Sequence, residues 1–160
     1  MKTCHFLLVP VLGLMFALSS CGGSDTPADG ATTATPPAST AETKMLAEGK
    51  GVGEVKAVEL KTPLEAERVS RGEAIYKMKC LACHKLDDQK LVGPGWKDVT
   101  KRRKPEWIMN MITNVEVMLD KDDEANKLLQ LCLTRMPNQN VSIGDARDVL
   151  EFMRKNDGEK

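Results

Sequence analysis

Two thiols and an imidazole lie within five consecutive residues of this chain, in the string Cys80-Leu81-Ala82-Cys83-His84. This C-x-x-C-H spacing is typical of haem attachment, because each thiol can add to one vinyl group of the porphyrin while the adjacent imidazole binds one axial face of the iron. A thioredoxin-like dithiol would need a βαβ context, which the sequence does not indicate. We therefore predict one covalent haem c, held by thioethers to Cys80 and Cys83 and by His84 as an axial ligand.

Zinc binding is the second interpretation of the same residues, and the N-terminus of the chain bears on it. Cys4 and His5 lie in a segment that we expect to be removed, so the mature protein would keep His84 as its single histidine. A zinc site would then need Cys132 as its fourth ligand at a suitable geometry. We favour haem, since the motif, the export signal and the predicted helices agree.

The first 20 residues have the features of an export signal. Lys2 precedes an apolar run from Phe6 to Leu18, which is shorter than the roughly 20 residues needed to span a bilayer. The string LSSC that ends at Cys21 resembles the lipobox of bacterial lipoproteins, in which the cysteine is diacylated and the chain is cut before it. We predict a lipoprotein signal peptide over 1–20 and lipidation of Cys21; an ordinary secretory signal that contains a cysteine is the alternative.

Two segments separate this signal from a folded domain. Residues 21–44 are small, polar and proline-containing without apolar periodicity, which predicts a lipid-anchored flexible linker. Residues 45–61 carry irregularly spaced valines and are interpreted as an extended arm that can pack on the domain. Residues 62–160 are predicted to form the single domain, in keeping with the usual size of about 100–150 residues.

Four helices are predicted within this domain, and strand-like alternation is not convincing anywhere in it. Thr62-Pro63-Leu64-Glu65 has the pattern of a capping box with proline at the first helical position, so a helix is expected from there to about Lys79. The other three are predicted at Pro105–Asn114, Asp122–Leu131 and Ser142–Asn156. The domain is therefore expected to be all-α, with long loops at 84–104 and 132–141.

On these residues the chain resembles the class I cytochromes c over about 62–160. The pattern Gly-x-x-x-Tyr-x-x-x-Cys at 72–80 is similar to the family's N-terminal helix, and 148–153 to the C-terminal helix that crosses it. The loop around Pro94 resembles the one whose proline carbonyl accepts a hydrogen bond from the axial histidine. The resemblance implies a class I cytochrome c fold, with helices wrapped around one haem and Pro94 as the partner of His84.

The resemblance also implies a methionine as the second axial ligand, since His84 is the only histidine left after processing. Met136 lies in the loop before the C-terminal helix, where this family places its ligand. Met118 is the alternative, and an open or water-bound iron is the third possibility.

Trp107 resembles an aromatic residue that donates to a haem propionate in parts of the family, although core packing would equally explain it. Cys132 is expected to be a buried thiol, with an intermolecular disulfide as the alternative.

Electron transfer is the function that these features imply. The 23 basic and 23 acidic side chains balance, so we expect no nucleic acid partner. We also expect no small-molecule substrate, but a redox protein donor and a redox protein acceptor. Parts of 91–138 also resemble small cytochromes that accompany nitrous oxide reductase. We expect a lipid-anchored protein of the bacterial cell envelope with its haem domain in the periplasm. A fixed haem subunit of a larger oxidase or reductase complex and a haem-based ligand sensor are the alternatives.

Overall fold

The computed structural model describes residues 39–160, and this part of the chain is helical. Its seven α-helices are α1 (Thr40–Ala47), α2 (Ala66–Ile75), α3 (Val99–Arg102), α4 (Pro105–Thr113), α5 (Val115–Lys121), α6 (Asp123–Cys132) and α7 (Ile143–Asn156). A π-helical turn at Tyr76–Cys80 continues α2. The only β pairing within 39–160 is one antiparallel bridge between His84 and Lys90. The all-α prediction is confirmed. Within 39–160, no helix combines the length and the apolar character that crossing a bilayer requires.

Three of the four predicted helices, α4, α6 and α7, begin and end within one residue of the expected positions. Local signals explain the agreement. The Asp122 side chain accepts from the amide of Ala125 at the start of α6, the Ser142 hydroxyl accepts from that of Asp145 at the start of α7, and α4 begins with Pro105 at its first position. The expected start of the first helix was wrong. That helix begins at Ala66, because the amide of Glu65 donates to a carboxylate of α7 instead of closing a local capping box.

Helices α1, α3 and α5 were not predicted. The hydroxyl of Ser39 accepts from the amide of Glu42 and starts α1, which buries Met45. Residues 40–44, which the sequence places in the linker, are therefore helical, as are the first residues of the expected arm. Helices α3 and α5 have only 4 and 7 residues, too few to show an apolar period in the sequence.

The expected crossing of the N- and C-terminal helices is present and very close. A Cβ atom on Gly72 of α2 would overlap the backbone carbonyl of Asp148 in α7, so only glycine allows this approach. Below the crossing, the ring of Tyr76 packs on Phe152 at 5.4 Å and on Trp96 at 5.0 Å between centroids. Such aromatic contacts contribute about 0.5–1.5 kcal/mol each beyond the burial of area. Helix α2 therefore leaves the crossing in a fixed direction.

Residues 48–61 form an arm that packs on α4 and α5. The buried amide of Asn110 bonds to Val55 in both directions, accepting from its N–H at 3.1 Å and donating to its carbonyl at 3.0 Å. The thioether of Met118 accepts from the amide of Val52 at 3.0 Å. These side chains satisfy backbone groups of an irregular segment that would otherwise be buried without partners.

A buried carboxylate joins the start of α2 to α7. Glu151 is fully buried and accepts from Arg147, from Arg154 at 3.0 Å and from the amide of Glu65 at 3.1 Å. Burial alone would raise its pKa, but the hydrogen bonds from Arg147, Glu65 and Arg154 outweigh burial and hold the pKa below its ordinary value.

Asp148, one turn before Glu151, is held in the same way. Arg68 and Arg71 of α2 donate to its two carboxylate oxygens at 2.7 and 2.6 Å. Burial opposes ionisation here as well, yet the bonds from Arg71 and Arg68 lower the pKa of Asp148. Both carboxylates are therefore ionised in the folded protein and tie α2 to α7.

Replacing Glu151 with Gln is expected to destabilise the haem-loaded protein by about 3–5 kcal/mol at pH 7, since two arginines lose their charged acceptor. Because both folded-state pKa values are lowered, the carboxylates stabilise the fold above about pH 4–5, and this contribution is lost as the pH falls further. Urea unfolding at pH 7 and pH 3.5 should therefore show a smaller acid effect in the variant. Glu67→Gln, at an exposed partner of Arg71, is the control and should match the parent; equal losses in both variants would contradict this role of Glu151.

Candidate haem site

The C-x-x-C-H motif leaves α2 through the π-helical turn. The amide of Leu81 donates to the carbonyl of Tyr76 at 2.9 Å, five residues back, which widens the last turn before the motif. The amides of Cys83 and His84 then both donate to the carbonyl of Cys80, at 3.0 and 2.9 Å. Both cysteines carry free thiols, as thioether formation requires. Burial raises the pKa of the Cys80 thiol to about 11.

Three neighbours fix the orientation of His84. Its Nδ1 lies 2.9 Å from the carbonyl oxygen of Pro94, which can only accept, so the ring proton is on Nδ1 and the Nε2 lone pair is left for a metal. The hydroxyl of Tyr76 donates to the His84 carbonyl at 2.8 Å, and the Trp96 ring packs 5.5 Å away between centroids. A Cβ on Gly93 would overlap the imidazole. Burial lowers the pKa of His84 and only the Pro94 bond opposes this, so the ring is neutral at pH 7.

An apolar cavity of about 380 Å³ opens beside His84. Its wall includes Cys83 and His84 on one side and Met136 and Pro137 from the loop between α6 and α7. Aliphatic and aromatic side chains from the five helices α3 to α7 complete the wall, among them Val99, Trp107, Ile108, Ile112, Leu119, Leu128, Leu129 and Met153. The Cys83 thiol, the His84 imidazole and the Met136 thioether thus line one apolar space, whereas Cys80 is not among its wall residues and is joined to it through the adjacent turn of the motif. Thiol, imidazole and thioether are the donor types of a covalently bound haem.

The two methionines considered as axial ligands have different surroundings. Met136 lines the cavity with His84 and is half-buried. Met118 is fully buried, is not among the residues of the cavity wall, and its sulfur is already bonded to the amide of Val52. Met111 and Met153 also line the cavity, but they lie on α4 and α7. Among these, Met136 is the methionine carried by a loop, which can bring its sulfur to an iron without unwinding a helix.

Trp107 lines the cavity, but its indole N–H has a protein partner. It donates to the carboxylate of Asp122 at 3.0 Å, the same side chain that caps α6. This bond agrees with the alternative of core packing, and the propionate contact that the resemblance implies stays a prediction. The cations of the cavity wall are Arg102, Arg103 and Arg135, and Arg103 stacks 4.8 Å from the Trp107 ring while pairing with Glu124 at 2.9 Å.

Cys132 also lines the cavity as a half-buried free thiol at the end of α6. Sequence reasoning did not identify Trp96, which packs against His84, or the hydroxyl of Tyr76 as a partner of the motif. The signal for Trp96 was its position two residues after Pro94, in the loop expected to contact the histidine.

Comparisons with known proteins agree with this geometry. The family model of cytochrome c matches residues 69–157. The chain is 34% identical to a cytochrome c from Rhodothermus marinus, with a TM-score of 0.65 over 72% of this chain and 97% of that one. An engineered cytochrome c from the same organism, solved with a bound carbene intermediate, is 35% identical, with a TM-score of 0.63 over 71% of this chain and 96% of that one. No curated protein sequence matches significantly.

The family match spans more than half of the chain and contains the attachment motif, the Pro94 loop, the Met136 loop and α7. The match covers nearly the whole length of each solved relative, so the similarity extends to their complete domain. The chain therefore belongs to the cytochrome c family, as a class I c-type cytochrome that binds covalent haem c and serves haem-based electron transfer.

Proposed function

We propose that this protein is a one-electron carrier in an exported, membrane-associated respiratory chain, with Cys80 and Cys83 as the haem thioethers and His84 and Met136 as the axial ligands. The observation that carries the proposal is that His84 and Met136 line the same apolar cavity. Haem supplies a one-electron iron couple when bound, and His/Met ligation favours a raised potential.

The residues of the chain act mainly by restricting the movement of His84 and by keeping water out of the cavity. Pro94 bonds to the imidazole of His84, Tyr76 bonds to its backbone carbonyl and Trp96 packs on its ring. The imidazole therefore needs little rearrangement when an electron is gained or lost. The apolar wall disfavours water, and Met136, as the second axial ligand, would close the iron to a diatomic ligand. A closed site with little reorganisation supports electron transfer over ligand sensing.

Membrane attachment through Cys21 is the second part of the proposal. Both the signal peptide over 1–20 and Cys21 lie outside the described residues, so this part rests on the sequence alone. Two or three lipid chains on one cysteine would give stable anchoring, since a single chain gives only marginal binding. We propose that the anchor holds the haem domain at the periplasmic side of a membrane in the bacterial cell envelope.

The finer proposal is that the protein donates electrons to a periplasmic reductase such as nitrous oxide reductase. It is supported only by the resemblance of parts of 91–138 to small cytochromes that accompany that enzyme. A fixed place in a larger oxidase or reductase complex is the competing arrangement. Cross-linking in native membranes, followed by identification of the protein trapped on the haem domain, separates a reductase partner from a permanent complex.

Replacing Met136 with Ala is expected to open the iron. The reduced variant should bind carbon monoxide stoichiometrically and have a lower midpoint potential, because a thioether that favours the reduced state is lost. Met118→Ala is the matched control. It should remain closed to carbon monoxide while losing about 2–5 kcal/mol of unfolding free energy, since a fully buried side chain is truncated. Carbon monoxide binding by the parent protein would favour the sensor, and an open iron in Met118→Ala alone would overturn the ligand assignment.

Replacing Cys21 with Ser is expected to abolish lipidation. The protein should move from the membrane fraction to the soluble fraction or accumulate as an uncut precursor, and mass spectrometry of the parent should show an acylated N-terminus at Cys21. Cys4→Ser, within the segment that is removed, should leave the membrane fraction unchanged. An unmodified parent N-terminus at another residue would exclude the lipoprotein proposal.

A further inference from the structure

The loop that carries Pro94 is fastened to the C-terminal end of α7. The carboxylate of Asp157 accepts three hydrogen bonds from this loop, from the amides of Asp98 and Thr100 at 2.7 and 2.9 Å and from the Thr100 hydroxyl at 2.7 Å. The side-chain amide of Asn156 donates to the carbonyl of Leu86 at 3.1 Å. Asn156 and Asp157, at the C-terminal end of α7, thus bond to both ends of the segment 86–100, which contains the residues that contact His84.

A carboxylate in this position is unfavourable for α7 itself. The C-terminus of a helix carries a partial negative charge, so an acidic residue there is destabilising. Asp157 is the C-cap residue of α7. Its three donors belong to Asp98 and to Thr100 in the first turn of α3, and a hydrogen bond to a charged acceptor contributes more than this unfavourable interaction costs. The gain from holding the loop therefore exceeds the cost to the helix.

The loop from Pro94 to the residues that bond to Asp157 is closely packed. A Cβ on Gly95 would overlap the carbonyl of Asp87, and the amide of Trp96 donates to the carbonyl of Lys85 at 2.9 Å. Asp98 adopts a left-handed backbone conformation with φ of 56°, and its amide donates to Asp157 from this turn.

From these contacts we infer that Asp157 is a positioning residue for the axial histidine. By fixing the Asp98–Thr100 segment, it keeps the carbonyl of Pro94 at hydrogen-bond distance from Nδ1 of His84. When the bonds to Asp157 are lost, the loop opens locally and the imidazole loses its acceptor, while the crossing of α2 and α7 stays intact. This inference concerns the histidine side of the site and does not depend on the identity of the partner protein.

The test is the exchange of the His84 Nδ1–H proton with solvent, followed by NMR in the reduced, haem-loaded protein. Asp157→Ala removes all three bonds and should accelerate this exchange at least about tenfold, since the loss of even one bond to a charged acceptor corresponds to about that factor. Asp157→Asn and Thr100→Val, which remove fewer bonds, should give smaller accelerations. The matched control is Glu159→Gln, which removes a carboxylate at the same end of α7 that pairs with Arg154 and does not contact the loop; it should leave the exchange unchanged.

Exchange of backbone amides in α2 and α7 distinguishes positioning from general stability. The inference holds if the His84 proton exchanges faster while the slowest amides of both helices exchange within about twofold of the parent. It is overturned if the His84 proton is unaffected, if Glu159→Gln has the same effect, or if the helix amides accelerate by the same factor. Should Asp157→Ala fail to incorporate haem, Asp157→Asn and Thr100→Val provide the same comparison.

Discussion

The close approach of α2 and α7 at Gly72 is the constraint on which the haem site depends. Helix α2 continues directly into the π-helical turn and the attachment motif, so the direction in which α2 leaves the crossing sets the positions of Cys80 and His84. Helix α7 ends at the loop of Pro94, the acceptor of the axial histidine. A single glycine therefore fixes the distance between the helix that carries the histidine and the helix that anchors its partner loop.

Charge and packing support the crossing from opposite sides. The bonds of Asp148 and Glu151 join the two helices on one side, where four arginines surround two buried carboxylates. Tyr76, Trp96 and Phe152 pack on the side that leads to the haem cavity. Polar groups are thereby satisfied away from the cavity, and the cavity wall remains apolar, as a closed haem site requires.

The chemistry of the site could be predicted from the sequence because it depends on local spacing. The motif at 80–84, the glycine and tyrosine before it and the proline after it follow each other at fixed intervals. Local caps identify α6 and α7, and a proline at the first position identifies α4. Contacts between distant segments could not be predicted. The start of α2 is set by Glu151, 86 residues away from Glu65, and Met118 bonds to a backbone amide of the arm, 66 residues away.

The same distinction applies to Trp107. It lies in the predicted helix Pro105–Asn114, but its donor bond depends on Asp122, which the sequence indicated only as the first residue of another predicted helix. The arm could be identified only as irregular, since it is held by the side chains of Asn110 and Met118 and not by a pattern of its own.

The most direct test of this account is the unfolding free energy of the haem-loaded Gly72→Ala variant, measured by guanidinium titration against Gly144→Ala. A Cβ on Gly144 would meet only the Ser142 hydroxyl at 3.8 Å, so alanine there should be neutral or stabilising by up to about 1 kcal/mol. Alanine at 72 must push α2 away from the backbone of α7, and we expect a loss of about 1–3 kcal/mol. A Gly72→Ala variant as stable as its parent would contradict the claim that this crossing positions the site.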